Sequence, residues 1–194
     1  IVSTYQAVSG AGKEGIDELD AQVRDHSEGR EMTANILPSA SAEKHYPIAF
    51  NLIPQIDVFC DNLYTKEEMK MVNETKKIME DYEMRITATT IRVPVYRSHS
   101  ESVNIELEKE VDLGAMREAL AKFPGVTVQD DPSKQEYPMP LYTSEKDDVY
   151  VGRLRRDESC EKSYNIWVVG DQIRKGAALN TLQIAETMIK NGWI

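Results

Sequence analysis

Residue types that can do chemistry are concentrated between Arg92 and His99, near the middle of the chain. Arg92 ends a β-branched segment, and Arg97 and His99 follow in a polar corner before a second apolar segment. A guanidinium offers a planar fork of donors for a carboxylate or phosphate, and an imidazole titrates near neutral pH. This corner therefore predicts a site for an anionic substrate at a sheet edge. The alternative is that both arginines are surface cations and that His99 is a solvated loop histidine.

A glycine-rich turn, Gly10-Ala-Gly12-Lys-Glu-Gly15, follows the first predicted strand and opens a helix. Its spacing matches a dinucleotide-binding turn. That fold also needs a second parallel strand ending in an acidic residue about 20 positions later, but residues 25–39 make a poor strand. We therefore interpret the glycines as allowing a close approach of the backbone turn to a ligand or another strand.

A further candidate pair, Glu67 and Lys70, lies on a helix that Thr65 and Glu68 open as a capping box. The helix is expected to run to about Tyr82, with Glu67 on its apolar side and Lys70 beside it. A charged pair at the rim of an apolar face suits a cleft, but it also suits a surface ion pair worth a few tenths of a kcal/mol. The predicted apolar stripe consists of Met71, Thr75, Ile78 and Tyr82.

The remaining segments predict an α+β fold, a mixed β-sheet flanked by helices. Asp112 is expected to cap a helix whose inward face includes Phe123. Residues 148–157 and 163–171 predict a hairpin-like pair of strands. The turn-rich, acidic stretch 129–148 is expected to be an exposed excursion.

Composition excludes several classes of protein. The net charge of −10, from 23 basic and 33 acidic residues, argues against a broad surface for nucleic acid or an anionic membrane. No apolar run reaches the roughly 18 to 20 residues of a membrane span. Cys60 and Cys160 lack the spacing of a zinc site and any secretory context, so we expect no metal, no disulfide and a reducing cytoplasm. The first residues already resemble a strand interior, and we expect the chain to be the downstream part of a longer polypeptide.

Segments spread over the whole chain resemble the aspartate-β-semialdehyde dehydrogenase family, downstream of its catalytic cysteine. The matching segments are YQAVSGAG at 5–12, KHYPIAFN at 44–51, PQIDVF at 54–59, YTKEEMK at 64–70, TTIRVPVYRSHSESV at 89–103, FPGV at 123–126, VGRLR at 151–155 and WVVGDQIRKGAALNTLQIAE at 167–186. The resemblance implies the fold of the C-terminal domain of a glyceraldehyde-phosphate dehydrogenase-like enzyme. It implies reductive dephosphorylation of L-aspartyl-4-phosphate to L-aspartate-4-semialdehyde with NADP as cofactor, in lysine, threonine and methionine biosynthesis. A homodimer or tetramer is implied as well.

The same resemblance gives roles to individual residues. It implies that His99 is the acid/base that takes the thiol proton and that Gln6 positions the acyl group. Arg92 is implied to bind the substrate α-carboxylate bidentately, which a lysine cannot do. Glu67 would receive the substrate ammonium, and Lys70 would help to hold the phosphate. The residues implied to lie near the nicotinamide end of the cofactor are Ser9, Gly10, Gln172 and Asn180.

The family's nucleophile lies in an Asn-Cys-Ser/Thr motif, which the resemblance places upstream of residue 1 together with the nucleotide domain. Cys60 and Cys160 do not match that motif and are not expected to be nucleophiles. Residues 1–173 then correspond to the catalytic and dimerisation domain. Residues 174–194 correspond to a C-terminal helix that packs on the nucleotide domain, with an apolar stripe left exposed in the segment alone. We expect this segment by itself to have no dehydrogenase activity.

Two alternatives stay open. An N-acetyl-γ-glutamyl-phosphate reductase shares the same plan, although the pair of Glu67 and Lys70 favours a free α-ammonium over an acetylated one. A non-catalytic dimerisation or regulatory module is favoured by the missing thiol. The presence of both Arg92 and His99 argues against such a module.

Overall fold

The computed structural model describes residues 1–194, which divide into two compact units, Ile1–Tyr96 (unit 1) and Arg97–Ile194 (unit 2). The elements of unit 1 are β1 (Val2–Gln6), α1 (Gly12–Ser27), α2 (Lys66–Ile78) and β2 (Ala88–Arg92). The elements of unit 2 are β3 (His99–Glu106), α3 (Leu113–Ala121), β4 (Val126–Val128), α4 (Pro140–Thr143), β5 (Val149–Arg156), β6 (Ser163–Gly170) and α5 (Leu179–Lys190). None of these helices has the length and apolar character needed to cross a membrane.

In unit 1, β1 and β2 form a parallel pair in which Val2 lies opposite Ala88 and Gln6 lies opposite Arg92. Alternate residues of β1 are buried, as expected for a strand with one face against a core. Because the two strands run in the same direction, their carboxyl ends meet at one edge. Gln6 and Arg92 lie at that edge.

The segment between α1 and α2 has little regular structure, and a buried glutamine of α1 holds it. Gln22 is fully buried, and its Oε1 accepts the backbone N–H groups of Ile48 and Ala49 at 2.8 and 3.0 Å. Its Nε2 donates to the carbonyl of Thr33 at 2.8 Å. These bonds satisfy buried backbone groups that no strand or helix pairs. The core packed around them consists of Val8, Leu19, Leu37, Ile48, Ala49 and Ile53.

Helix α2 begins as predicted but ends early. The capping box of Thr65 and Glu68 is present in full. The helix ends at Ile78, because Glu80 adopts a left-handed conformation with φ of 53°. Ile78 and Tyr82 are 76% and 69% exposed, so the predicted apolar stripe is wrong at both positions.

The sheet of unit 2 is mixed, which confirms the predicted fold class. Strand β6 lies between β3 and β5 and is antiparallel to both, while the short β4 runs parallel to β5. The predicted hairpin-like pair is therefore β5 and β6. Its register shifts between Gly152 and Arg155, where Arg153 has φ of 53°. Helix α3 supplies Met116 to the core of this unit, which is centred on the fully buried Tyr164.

Two predictions for unit 2 need correction. Asp112 caps α3 as expected, by accepting backbone N–H groups of the first turn. Phe123, however, is 66% exposed because the helix ends at Ala121. The stretch 129–148 is not a wholly exposed excursion, since Thr143 is 1% exposed and packs inside unit 2.

Helix α5 follows a π-helical turn at Arg174–Ala178 and keeps its apolar residues at the surface. Leu182 and Ile189 are 63% and 64% exposed. This matches the exposed stripe expected for the segment alone. The boundary between residues 173 and 174 stays a prediction.

Candidate active site

Gln6 and Arg92 end two neighbouring parallel strands and are only 6% and 4% exposed. The Gln6 side chain is held from two sides. Its Nε2 donates to Glu67 Oε1 at 3.2 Å and to Thr4 Oγ1 at 3.3 Å. The strand ends thus fix an amide and a guanidinium at one edge of unit 1.

The Arg92 guanidinium is only partly satisfied by the protein. Its Nη1 donates to the carbonyl of Ala7 at 2.6 Å, while its Nε is buried without a hydrogen-bond partner. Burial lowers the pKa of Arg92 to about 10, although the negative charge of Glu67 opposes the shift. The group therefore stays protonated at neutral pH. A buried cation with an unmet N–H is suited to receive an anionic oxygen.

Glu67 links the buried edge to the surface. Its Oε1 accepts from Gln6, and its Oε2 lies 3.7 Å from Lys70 Nζ. The Glu67 side chain is 24% exposed and that of Lys70 is 56% exposed. Because the Glu67 charge also acts on Arg92, the structure brings these four predicted residues into one cluster of unit 1. Their assigned roles stay predictions.

A residue that sequence reasoning assigned only to capping positions this cluster. Glu68 Oε2 accepts the backbone N–H of Thr65 at 2.8 Å, and its Oε1 accepts that of Thr90 in β2 at 3.0 Å. The first turn of α2 is thereby tied to the strand that carries Arg92. The capping-box pattern signals the first contact, but no local pattern signals the second.

The glycine-rich turn after β1 packs closely on its own backbone. Ser9 is buried and donates its backbone N–H to the carbonyl of Tyr96 at 3.1 Å, and Gly10 is exposed. A Cβ at Gly15 would lie 2.6 Å from the carbonyl oxygen of Val8. The close backbone approach is thus made within the turn itself, and an approach to a ligand stays a prediction. No strand follows α1 before α2, so the turn lacks the second strand of a dinucleotide fold.

His99 is the first residue of β3 and lies directly opposite Gly170 of β6. It is half-buried. Side chains directly opposite in an antiparallel pair share one face, and a Cβ at Gly170 would lie in ordinary contact with Val149, 3.7 Å from its Cγ2. Ser98, the preceding residue, donates its backbone N–H to Gln172 Oε1 at 3.1 Å. Gln172 therefore contacts the turn that leads into His99.

Arg97 is paired with two carboxylates of unit 2. Its Nη2 lies 2.9 Å from Asp171 Oδ2, and its Nη1 lies 3.0 Å from Glu145 Oε1. The Asp171 side chain is fully buried. Both terminal nitrogens of Arg97 thus have internal partners while its Nε is buried without one, and the expectation that Arg97 contributes to an anion site stays a prediction.

Asn180 is an exposed residue of α5. It lines a shallow groove of about 310 Å³ together with Ile184, Met188 and Trp193. Of the predicted cofactor residues, Ser9 and Gly10 belong to unit 1 and Gln172 and Asn180 belong to unit 2.

Comparisons with known proteins show which family the chain belongs to. A family model described as semialdehyde dehydrogenase, dimerisation domain, matches residues 1–175. The chain belongs to this family. The semialdehyde dehydrogenase match confirms the resemblance of the sequence segments, and it covers all of unit 1 and residues 97–175 of unit 2.

Individual relatives of known sequence or structure support the same family assignment. The chain is 50% identical over 194 residues to an aspartate-semialdehyde dehydrogenase of Aquifex aeolicus, covering 100% of the chain and 55% of the relative. It is 50% identical over 191 residues to that of Bacillus subtilis, covering 98% and 55%. The crystal structure of aspartate semialdehyde dehydrogenase II complexed with ASA, from Vibrio cholerae, superposes with a TM-score of 0.90 at 43% identity, covering 97% of this chain and 54% of that one. The chain therefore spans about half the length of the curated relatives it matches.

Proposed function

We propose that the chain is the catalytic and dimerisation part of an NADP-dependent aspartate-semialdehyde dehydrogenase. The observation that carries the proposal is the buried edge of unit 1, where a carboxylate and a guanidinium with an unmet N–H lie in one cluster. These two charges complement the α-ammonium and α-carboxylate of an amino-acid substrate. The names of the relatives support the same activity.

The proposed substrate contacts follow from what each side chain still offers. Arg92 uses Nη1 on Ala7, so its Nε edge binds the α-carboxylate. Glu67, held by Gln6 and paired with a solvent-facing Lys70, receives the ammonium group. Lys70, more than half exposed, swings to the phosphate as a point charge. Gln6 orients the acyl group from the same edge.

In this proposal His99 supplies proton transfer. It accepts the proton of an attacking thiol, which the longer protein provides, while the bond from the acyl carbon to phosphate breaks. NADPH, when bound, supplies the hydride that reduces the resulting thioester. His99 then returns its proton to the sulfur as the carbon–sulfur bond breaks and the aldehyde is released. An imidazole titrates near the pH at which both proton transfers occur.

The chain's own residues fit only one end of that cofactor. Gly10 presents exposed backbone without a side chain, and Asn180 presents an exposed amide, so both suit contact with a nicotinamide carboxamide. The amide oxygen of Gln172 already accepts from Ser98. We therefore propose that residues outside this segment bind most of the dinucleotide, while Ser9, Gly10, Gln172 and Asn180 line its nicotinamide end.

We further propose that residues 174–194 pack on the nucleotide domain of the complete protein. Leu182, Ile184 and Ile189 are all more than half exposed on α5, as a helix awaiting a partner surface would be. In the complete protein, Leu182→Asp should lower the melting temperature by several degrees, whereas Glu186→Gln on the same helix should leave it unchanged. An unchanged melting temperature for Leu182→Asp would contradict this packing.

The substrate assignment is tested with the complete protein by following NADPH oxidation. We expect turnover with L-aspartyl-4-phosphate and at least a hundredfold lower kcat/KM with N-acetyl-γ-glutamyl phosphate, because an acetylated amine cannot pair with Glu67. Faster turnover of the acetylated substrate would replace the proposal with the reductase. The 194-residue segment alone is expected to be inactive, and activity lost on Cys60→Ser or Cys160→Ser would contradict that.

A further inference from the structure

Ser98, immediately before His99, has an unusual backbone. It is fully buried and has φ of 74°, in the left-handed region that favours glycine. A residue other than glycine is strained in this conformation and persists only where its surroundings fix it. The side chain and the backbone of Ser98 must therefore make compensating contacts.

Two segments of unit 2 supply those contacts. The Ser98 hydroxyl lies 2.7 Å from the hydroxyl of Thr143, and the Ser98 N–H donates to Gln172. Thr143 is itself 1% exposed, and its hydroxyl also lies 3.2 Å from the carbonyl of Met139. Ser98 is thus joined to α4 through its side chain and to the chain after β6 through its backbone.

The residue before Ser98 is fixed by a buried carboxylate. Asp171 Oδ2 pairs with Arg97 and accepts the backbone N–H of Glu145 at 2.8 Å, while its Oδ1 accepts that of Arg174 at 3.0 Å. Burial opposes ionisation of Asp171, but these N–H groups and the Arg97 charge outweigh it and hold its pKa below the usual range. One carboxylate therefore joins three separate segments around the turn.

The residue after Ser98 is fixed by the sheet, since His99 pairs with Gly170. Positions 97, 98 and 99 are each held by a different partner. The direction of the bond from the His99 backbone to its imidazole depends on the conformation of Ser98. Glycine would adopt this conformation without strain, but it has no hydroxyl to join Thr143.

We propose that Ser98 and Thr143 are positioning residues that fix the direction of the His99 imidazole through their hydroxyl contact. The inference rests on the proposed function, in which His99 transfers protons. The proposal assigns a structural role to the stretch 129–148, because this stretch contains α4 and therefore Thr143. Neither side chain is required to touch the substrate.

The test uses the complete protein with L-aspartyl-4-phosphate and the variants Thr143→Val and Thr143→Ser. Thr143→Val removes the hydroxyl at nearly constant volume, and we expect kcat per folded molecule to fall roughly 10- to 100-fold with KM changed less than about twofold. The solvent deuterium isotope effect on kcat should rise, because proton transfer becomes slower. Thr143→Ser keeps a hydroxyl at this position, and its kcat should stay within about threefold of the wild-type value.

Thr127→Val is the matched control, since its hydroxyl donates to Asp148 at 2.7 Å on β4, at the far edge of the same sheet. It should leave kcat and the isotope effect unchanged. Ser98→Gly is a second variant that accepts φ of 74° and loses only the hydroxyl. Its kcat should fall as in Thr143→Val, and the double variant should be no slower than either single one.

The outcomes separate the two proposals. Thr143→Val and Ser98→Gly with wild-type kcat, beside a His99→Ala variant that is at least a hundredfold slower, would overturn the positioning role and leave the proposed function standing. A lower melting temperature of these two variants, with kcat per folded molecule unchanged, would also overturn the positioning role. A complete wild-type protein that fails to turn over L-aspartyl-4-phosphate would overturn both proposals.

Discussion

Gln6 lies directly opposite Arg92 across the parallel pair of β1 and β2, at the last residue of each strand. The Gln6 amide donates to Glu67, while Arg92 donates to the carbonyl of Ala7. Each charged group is therefore held by a neutral protein group. This relationship keeps a carboxylate and a guanidinium in one cluster, each able to meet the opposite charge of a zwitterionic ligand.

Two adjacent glutamates of α2 should give opposite results when neutralised. Glu67→Gln removes the charge proposed to bind the substrate ammonium, so KM for L-aspartyl-4-phosphate should rise about tenfold or more in the complete protein. Its effect on the free energy of unfolding should be about 1 kcal/mol or less, because Lys70 is 56% exposed and the amide oxygen of the new glutamine can still accept from Gln6. Steady-state kinetics and urea unfolding measure the two quantities.

Glu68→Gln is the matched partner of that variant. Glu68 accepts the N–H groups of Thr65 and Thr90 in a buried setting, and an amide cannot accept with both of its terminal atoms. We expect a loss of about 1–3 kcal/mol in the free energy of unfolding and a normal KM for the molecules that stay folded. A stable Glu68→Gln protein with a raised KM would reverse the assignment of the two residues.

Gln22 should be essential for the irregular segment of unit 1. Gln22→Leu replaces the glutamine with an apolar side chain of similar volume. It leaves the N–H groups of Ile48 and Ala49 and the carbonyl of Thr33 without their partner. The expected loss is about 2–4 kcal/mol in the free energy of unfolding. Arg24→Leu, at an exposed position of the same helix, should change it by less than about 0.5 kcal/mol. Equal stability of both variants would show that the segment is held by other contacts.

Low pH should lower the free energy of unfolding of the protein, because the stabilising contribution of Asp171 in unit 2 is lost. Its pKa is lowered in the folded protein, so between that value and the ordinary value of 3.8 the unfolded chain binds more protons. The stabilisation is fully present above the ordinary pKa and is lost as the pH falls through the lowered one. Asp171→Asn should therefore be less stable than wild type at pH 7, and the difference should shrink below about pH 4.

Chemical unfolding of the complete protein at pH 7 and pH 3 checks this dependence. Asp147→Asn is the control, because the pair of Asp147 with Arg174 is exposed and should contribute little at either pH. A stability difference between wild type and Asp171→Asn that is the same at both pH values would contradict the account.

The features that the sequence predicted correctly depend on nearby residues. The capping box of Thr65 and Glu68 and the cap at Asp112 each join groups within three positions, so their spacing is visible in the chain. The β5 and β6 pair follows from two apolar segments joined by a short polar turn. Family resemblance, rather than periodicity, predicted a shared site for Gln6 and Arg92. The structure places the two residues opposite each other, and their roles stay predictions.

The features that the sequence missed join distant residues. Glu68 reaches Thr90 across 22 positions, and Ser98 reaches Thr143 across 45. Polar pairs of this kind have no periodic signature, and both acidic and hydroxyl residues are usually assigned to the surface. The end of α2 was misplaced for a related reason, because Glu80 adopts a left-handed conformation that glycine usually marks.

The division of labour between Arg92 and His99 is the central claim, and steady-state kinetics of two variants in the complete protein test it most directly. Arg92→Lys should raise KM for L-aspartyl-4-phosphate about 10- to 100-fold with kcat largely kept, because a point charge replaces a bidentate fork. His99→Ala should lower kcat about 10²- to 10⁴-fold with a smaller change in KM, because proton transfer is lost. Arg24→Lys, at an exposed position of unit 1, serves as the control and should match wild type. Equal effects of Arg92→Lys and His99→Ala on both constants would contradict the claim.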